Sequence, residues 1–125
     1  MLLFIDDERN PNAVFSISYR DRVGLRGFTD EERAEITKSR KEGIDIARSY
    51  EEAIQFLQSK KYDMIMFDHD LGEDANGNTL KSGKDVANWI SRNLNYRFLF
   101  YVHSANAVGR ENIDLYLKQW METLS

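Results

Sequence analysis

Four short, mainly apolar segments punctuate the chain, at residues 1–5, 44–47, 62–67 (continuous once Asp63 is passed) and 98–103, and polar sequence with helical spacing separates most of them. Continuous runs of this length read as strands buried on both faces, and the run ending at Phe67 reads as a central one. The intervening segments carry helix signals. Thr29-x-x-Glu32 fits a capping box and predicts a helix over 30–42, stopped by Gly43, with most of its surface facing water. Ser49 is placed as the N-cap of a helix over 50–59, with Tyr50, Ala53, Ile54 and Leu57 on one face. Residues 84–93 bring Val86, Ala87, Trp89 and Ile90 to one side. Residues 110–124 do the same with Ile113, Tyr116, Leu117, Trp120 and Leu124. Between the first two runs, Phe15, Ile17 and Tyr19 alternate with Ser16 and Ser18, which predicts a strand or hairpin arm over 14–19. Polar stretches over 71–83 and 104–109 read as loops. Strands alternating with helices predict a parallel α/β sheet covered on both faces, with right-handed crossovers.

Length and composition narrow the picture. A chain of 125 residues with 42% hydrophobic and 30% charged positions suits one domain spanning 1–125. The absence of cysteine excludes disulfides, thiolate metal sites and a thiol nucleophile. No apolar run approaches the roughly 20 residues that span a bilayer, so the expectation is a cytoplasmic protein without signal peptide, anchor or membrane partner. A net charge of −4 speaks against a uniformly basic nucleic-acid surface. The placement of the acids says more than their sum. Asp6, Asp7, Glu8, Asp68, Asp70, Glu73 and Asp74 fall in two short segments, each directly after an apolar run.

In open parallel sheets, ligands bind at the carboxyl ends of the strands. Three strands run into polar residues there: Ile5 into Asp6-Asp7-Glu8-Arg9, Phe67 into Asp68-His69-Asp70, and Val102 into His103-Ser104-Ala105-Asn106. If these strands are adjacent, Asp6, Asp7 and Asp68, with Asp70 close by, bring several carboxylates into a small volume. Their mutual repulsion calls for a cation. An all-oxygen donor set suits Mg²⁺ or Mn²⁺ better than zinc. His69 and His103, the two histidines of the chain, are candidates for proton transfer. Alternation puts Asp68 and Asp70 on one side of the strand and His69 on the other. Ser104 and Asn106 would bind a phosphoryl oxygen or simply form a turn. Arg9, and the arginines at 20, 22 and 26, would contact phosphate or stay solvated. No P-loop is present, which disfavours a nucleoside triphosphatase.

These segments resemble the receiver domain of two-component signalling. Asp6-Asp7-Glu8 is similar to its acidic pair, residues 62–68 to the strand carrying the phosphoacceptor aspartate, and Ser104-Ala105 to its Thr/Ser-Ala pair. The fifth strand and the lysine preceding a proline have no counterpart. The combination Ile5-Asp6-Asp7-Glu8-Arg9-x-Pro11, Phe67-Asp68-His69-Asp70-Leu71-Gly72 and Val102-His103-Ser104-Ala105-Asn106-x-x-Gly109-x-x-Asn112 resembles the cyclic-phosphate processing receiver-like domains of bacteria and their phages.

That resemblance implies a receiver-like (flavodoxin-like) three-layer sandwich of about four core strands, without the fifth and with an enlarged insertion over 13–43. It also implies metal-dependent hydrolysis of a 2′,3′-cyclic phosphate on an RNA end, possibly of tRNA, or on a cyclic nucleotide. The metal ligands would be Asp6, Asp7 and Asp68. His103, Asp68, His69 and Asp70 would be catalytic, and Ser104, Asn106 and Arg9 would bind the phosphate. Two rival readings remain: a degenerate receiver that binds a protein or tRNA without chemistry, and a phosphoacceptor receiver using Asp68.

Overall fold

In a computed structural model of the chain, residues 1–11, 28–68, 71, 81–103 and 107–124 are described. Among them four strands and four helices follow one another as β1 (Leu2–Ile5), α1 (Asp30–Lys41), β2 (Ile44–Ala47), α2 (Tyr50–Ser59), β3 (Met64–Phe67), α3 (Gly83–Asn93), β4 (Leu99–Val102) and α4 (Ala107–Glu122). The strands form one parallel sheet in the order β2-β1-β3-β4. The doubly wound order puts β1 and β3 at its centre, which is why both are buried along their whole length. This is the receiver-like α/β fold.

Side-chain alternation divides the core into two layers. Leu3, Ile5, Ile65 and Phe67 face α2, α3 and α4 and pack with Ala53, Leu57, Val86, Ala87, Ile90, Ile113 and Leu117. Leu2, Phe4, Met64 and Met66 face the other way and meet Ile36 of α1 and Phe28. Helix α1 exposes most of its surface and contributes Ile36 and Ser39 to the buried set, as its sparse apolar positions predict. It covers its face of the sheet as the β1-to-β2 crossover helix, so this part of the expected 13–43 insertion is a regular element of the fold. The predicted arm over 14–19 lies outside the described residues.

Local signals explain the helix limits. The α1 capping box is formed: the Glu32 amide donates to Thr29 Oγ1 at 3.1 Å and the Thr29 amide to Glu32 Oε1 at 3.0 Å. Gly43 ends the helix at φ +132°, a conformation that side chains resist. Ser49 Oγ accepts from the Glu52 amide at the start of α2. Two predicted element starts shift by more than one residue. Strand β3 starts at Met64 rather than residue 62, because the ladder with β1 begins at Leu2 opposite Met64. Helix α4 starts at Ala107 rather than residue 110. Gly109, read as a loop signal, is a buried position inside the helix.

Candidate functional site

The strand register builds the site. Ile5 lies opposite Phe67, and Phe67 opposite Val102, so Asp6, Asp68 and His103 are the next residues of three neighbouring strands. The ladder continues through their amides. Asp6 donates to the Ala47 carbonyl at 3.1 Å, Asp68 to that of Ile5 at 2.9 Å, and His103 to that of Phe67 at 2.9 Å. Alternation keeps Asp6 in the row of Leu2 and Phe4, and Asp68 in the row of Met64 and Met66. Both carboxylates therefore emerge at the end of the apolar layer under α1. Asp6 is fully buried and Asp68 nearly so.

Asp6 is saturated with protein partners. Its Oδ1 accepts from the backbone amides of Glu8 at 3.0 Å and Arg9 at 2.9 Å, the turn an aspartate imposes on the residues after it. Its Oδ2 pairs with Arg9 Nη1 at 3.2 Å and with His103 Nε2 at 2.9 Å. Burial alone would raise the Asp6 pKa. The hydrogen bonds from His103 and from the Arg9 and Glu8 amides outweigh it and hold the carboxyl well below the ordinary range. Asp7 moves the opposite way: burial, and then the charges of Asp6, Asp68 and Glu8, push its pKa up.

With Asp6 ionised, Nε2 of His103 carries the proton it donates. The ring is fully buried and stacks on Phe4 at a centroid distance of 4.9 Å and an interplanar angle of 3°. Its Nδ1 is buried without a hydrogen-bond partner among the described residues. To reach Asp6 from β4 the side chain crosses the end of β3. The sequence marks His103 as a candidate general acid or base; the structure seats its ring, fully buried, against the Asp6 carboxylate, which it orients.

Arg9 lies between the two strands. Its Nη1 is 3.2 Å from Asp6 Oδ2 and 3.1 Å from Asp68 Oδ2. Desolvation lowers its pKa, but the hydrogen bond to Asp6 and the charges of Asp6, Asp68 and Glu8 raise it further, so the guanidinium stays charged. Its backbone is held in turn by Arg48, whose Nη1 donates to the Arg9 carbonyl at 2.6 Å and the Asp6 carbonyl at 3.2 Å. Sequence reasoning missed Arg48. It is the first residue past β2, and the strand-end rule applied to the other three strands would have found it.

Asp6, Asp7 and Asp68 each present an oxygen within 4.8 Å of the others. The all-oxygen donor set fits a hard divalent cation such as Mg²⁺ or Mn²⁺. Of the expected site residues, the structure thus brings Asp6, Asp7, Arg9, Asp68 and His103 together. His69, Asp70, Ser104 and Asn106 lie outside the described residues. Two grooves, of about 510 and 580 Å³, run beside β4 and include none of the three carboxylates.

A four-stranded parallel receiver fold with carboxylates at the carboxyl ends of its two central strands defines a receiver-class protein with an acidic pocket. No curated protein and no solved structure matches the chain. Residues 1–119 match the cyclic-phosphate processing receiver domain, and the chain belongs to that family. No helix among the described residues is long and apolar enough to cross a membrane.

Proposed function

We propose that this protein hydrolyses a 2′,3′-cyclic phosphate, on an RNA or tRNA end or on a cyclic nucleotide, with Mg²⁺ or Mn²⁺ at Asp6, Asp7 and Asp68. The observation that carries this reading is the three-carboxylate cluster at the carboxyl ends of β1 and β3, in a chain of the cyclic-phosphate processing family. A bound divalent ion would supply Lewis-acid polarisation of the phosphoryl oxygen and a water of lowered pKa. The chain's own residues do the rest. His103 fixes Asp6 from below as a positioning residue, while Arg48 fixes the turn that carries Arg9. The Arg9 guanidinium, at the edge of the cluster, binds a phosphoryl oxygen. With His103 buried, proton transfer to the leaving oxygen falls to His69, next in sequence to Asp68. Asp70 orients that histidine or adds a ligand, and Ser104 and Asn106 hydrogen-bond the phosphate.

The test is hydrolysis of 2′,3′-cyclic AMP and of a cyclic-phosphate RNA oligomer with added Mn²⁺ or Mg²⁺. Wild type should turn over at least one substrate, Asp68→Asn and His69→Ala should lose that activity, and His103→Ala should weaken metal dependence as well as rate. No turnover of either substrate by folded wild-type protein overturns the reading. One observation favours the non-catalytic binding module instead: protein donors already occupy both oxygens of Asp6. A module without a metal site shows no change in melting temperature with millimolar Mg²⁺ or Mn²⁺.

A further inference from the structure

The acid cluster has a cation of its own. One nitrogen, Arg9 Nη1, lies 3.2 Å from Asp6 Oδ2 and 3.1 Å from Asp68 Oδ2, and so ties the ends of β1 and β3 together. A divalent ion bonded to the same two oxygens would fall against that nitrogen. Two positive centres in contact beside nearly buried carboxylates repel strongly, because little solvent screens them. Asp6 offers no spare position for the ion either, since Oδ1 is taken by two backbone amides and Oδ2 by His103 and Arg9. Of these four contacts, the one to Arg9 is best suited to yield. The amides belong to the chain turn and His103 is sealed in the core, whereas the Arg9 side chain keeps 27% of its surface exposed and has solvent to move into.

We infer that Arg9 is the internal counter-cation of the pocket, competing with a divalent ion for the Asp6 and Asp68 carboxylates, so that ion entry requires the guanidinium to leave. The Arg9 backbone stays in place when this happens, because the Asp6 carboxylate and Arg48 hold its amide and its carbonyl. The released side chain therefore remains tethered at the pocket, available to an anionic phosphoryl group. Arg9 thus links the ion to substrate binding as a positioning residue. This inference rests on the divalent site proposed above.

The test is Mn²⁺ binding by calorimetry to wild type, Arg9→Gln and Arg9→Lys, with folding checked by circular dichroism. Removing a competing charge worth about 1.4 kcal/mol or more predicts at least about tenfold tighter binding by Arg9→Gln, and Arg9→Lys should stay near wild type. If wild type is silent and Arg9→Gln binds, the inference holds and the ion is removed from the proposed function. If wild type binds and Arg9→Gln binds no more tightly, the inference is overturned and the proposed function stands. If neither binds, both fall. A nuclear magnetic resonance readout on the wild-type protein is independent of how the variants fold: where Mg²⁺ binds it must displace the Arg9 guanidinium signal, and a signal unmoved with the ion bound overturns the inference.

Discussion

Asp6→Asn and Asp7→Asn, neighbouring and chemically identical substitutions, should change stability in opposite directions. In metal-free buffer at neutral pH, Asp6→Asn keeps an oxygen for the Glu8 and Arg9 amides but turns an amide NH₂ toward His103 Nε2–H and Arg9 Nη1. Two charge-assisted contacts to a fully buried group are lost, and two donors are left facing a donor. Each such contact is worth about 1.5–3 kcal/mol net, and breaking a buried pair by removing one partner costs about 3–5 kcal/mol. Relief of repulsion from Asp7 and Asp68 opposes this. At separations within 4.8 Å a like-charge pair costs at least about 1 kcal/mol, and the Arg9 guanidinium bonded to both Asp6 and Asp68 offsets much of that repulsion for Asp6. The balance is a loss of about 3 kcal/mol, or about 10 °C in Tm for a chain of this size. Asp7 has no such set of partners, and burial first and then the charges of Asp6, Asp68 and Glu8 disfavour its ionised form, so Asp7→Asn should gain about 1 kcal/mol. Urea unfolding with EDTA, followed by circular dichroism, measures both. An Asp6→Asn protein as stable as wild type would mean that repulsion within the cluster outweighs its hydrogen bonds, and the account of the pocket given above would be wrong.

Other consequences are open to similar measurement. Asp6, Asp45 and Asp63 have folded pKa values below their unfolded ones, so their stabilisation is complete above about pH 5 and is lost as pH falls through the folded values. Asp63 contributes least because its side chain is 58% exposed and screened. Asp7, shifted the other way, costs stability at neutral pH and releases that cost as it protonates. The urea midpoint should therefore hold or rise slightly from pH 7 to 5 and fall steeply below about pH 4, and a midpoint that keeps rising to pH 3 contradicts this. Leu117→Ala empties a fully buried position under α4 and should cost about 2–5 kcal/mol in the same unfolding experiment. Thr29→Ala removes one half of the α1 capping box and should cost about 1 kcal/mol, with Thr29→Ser close to wild type.

The two central strands were legible because a parallel sheet covered on both faces demands unbroken apolar runs, and Leu2–Ile5 and Met64–Phe67 carry nothing else; the outer β2, with Asp45 inside it and only partly buried, was marked by its place between two helix signals. The helices over 30–41 and 50–59 were legible through Thr29, Gly43 and Ser49, whose roles depend on the nearby backbone alone. Asp6, Asp68 and His103 were legible as a group, since each is the first polar residue after a strand. Their partners were less so. Whether His103 faces a ligand or lies on Phe4 depends on how much room β3 leaves beneath its end, a matter of packing across three strands. That the Arg9 side chain spans Asp6 and Asp68 was not legible, because its sequence position says nothing of the Asp6-centred turn that points it back at two carboxylates. Gly109 misled because a glycine inside a helix looks the same in sequence as one that ends a helix.

The parallel pairing of β1 with β3 sets Leu2 against Met64 and Ile5 against Phe67, partners far apart along the chain. Closing such a long loop is entropically costly and is repaid only when both apolar layers form around the paired strands. Asp6 and Asp68 meet one residue beyond that pairing. The pocket therefore has no local folding unit of its own, and it assembles in the same event that completes the core. Amide hydrogens of β1 and β3 should exchange with solvent only through global unfolding. A fragment ending before Met64 would hold Asp6, Asp7 and Arg9 but not the strand that brings their second carboxylate partner.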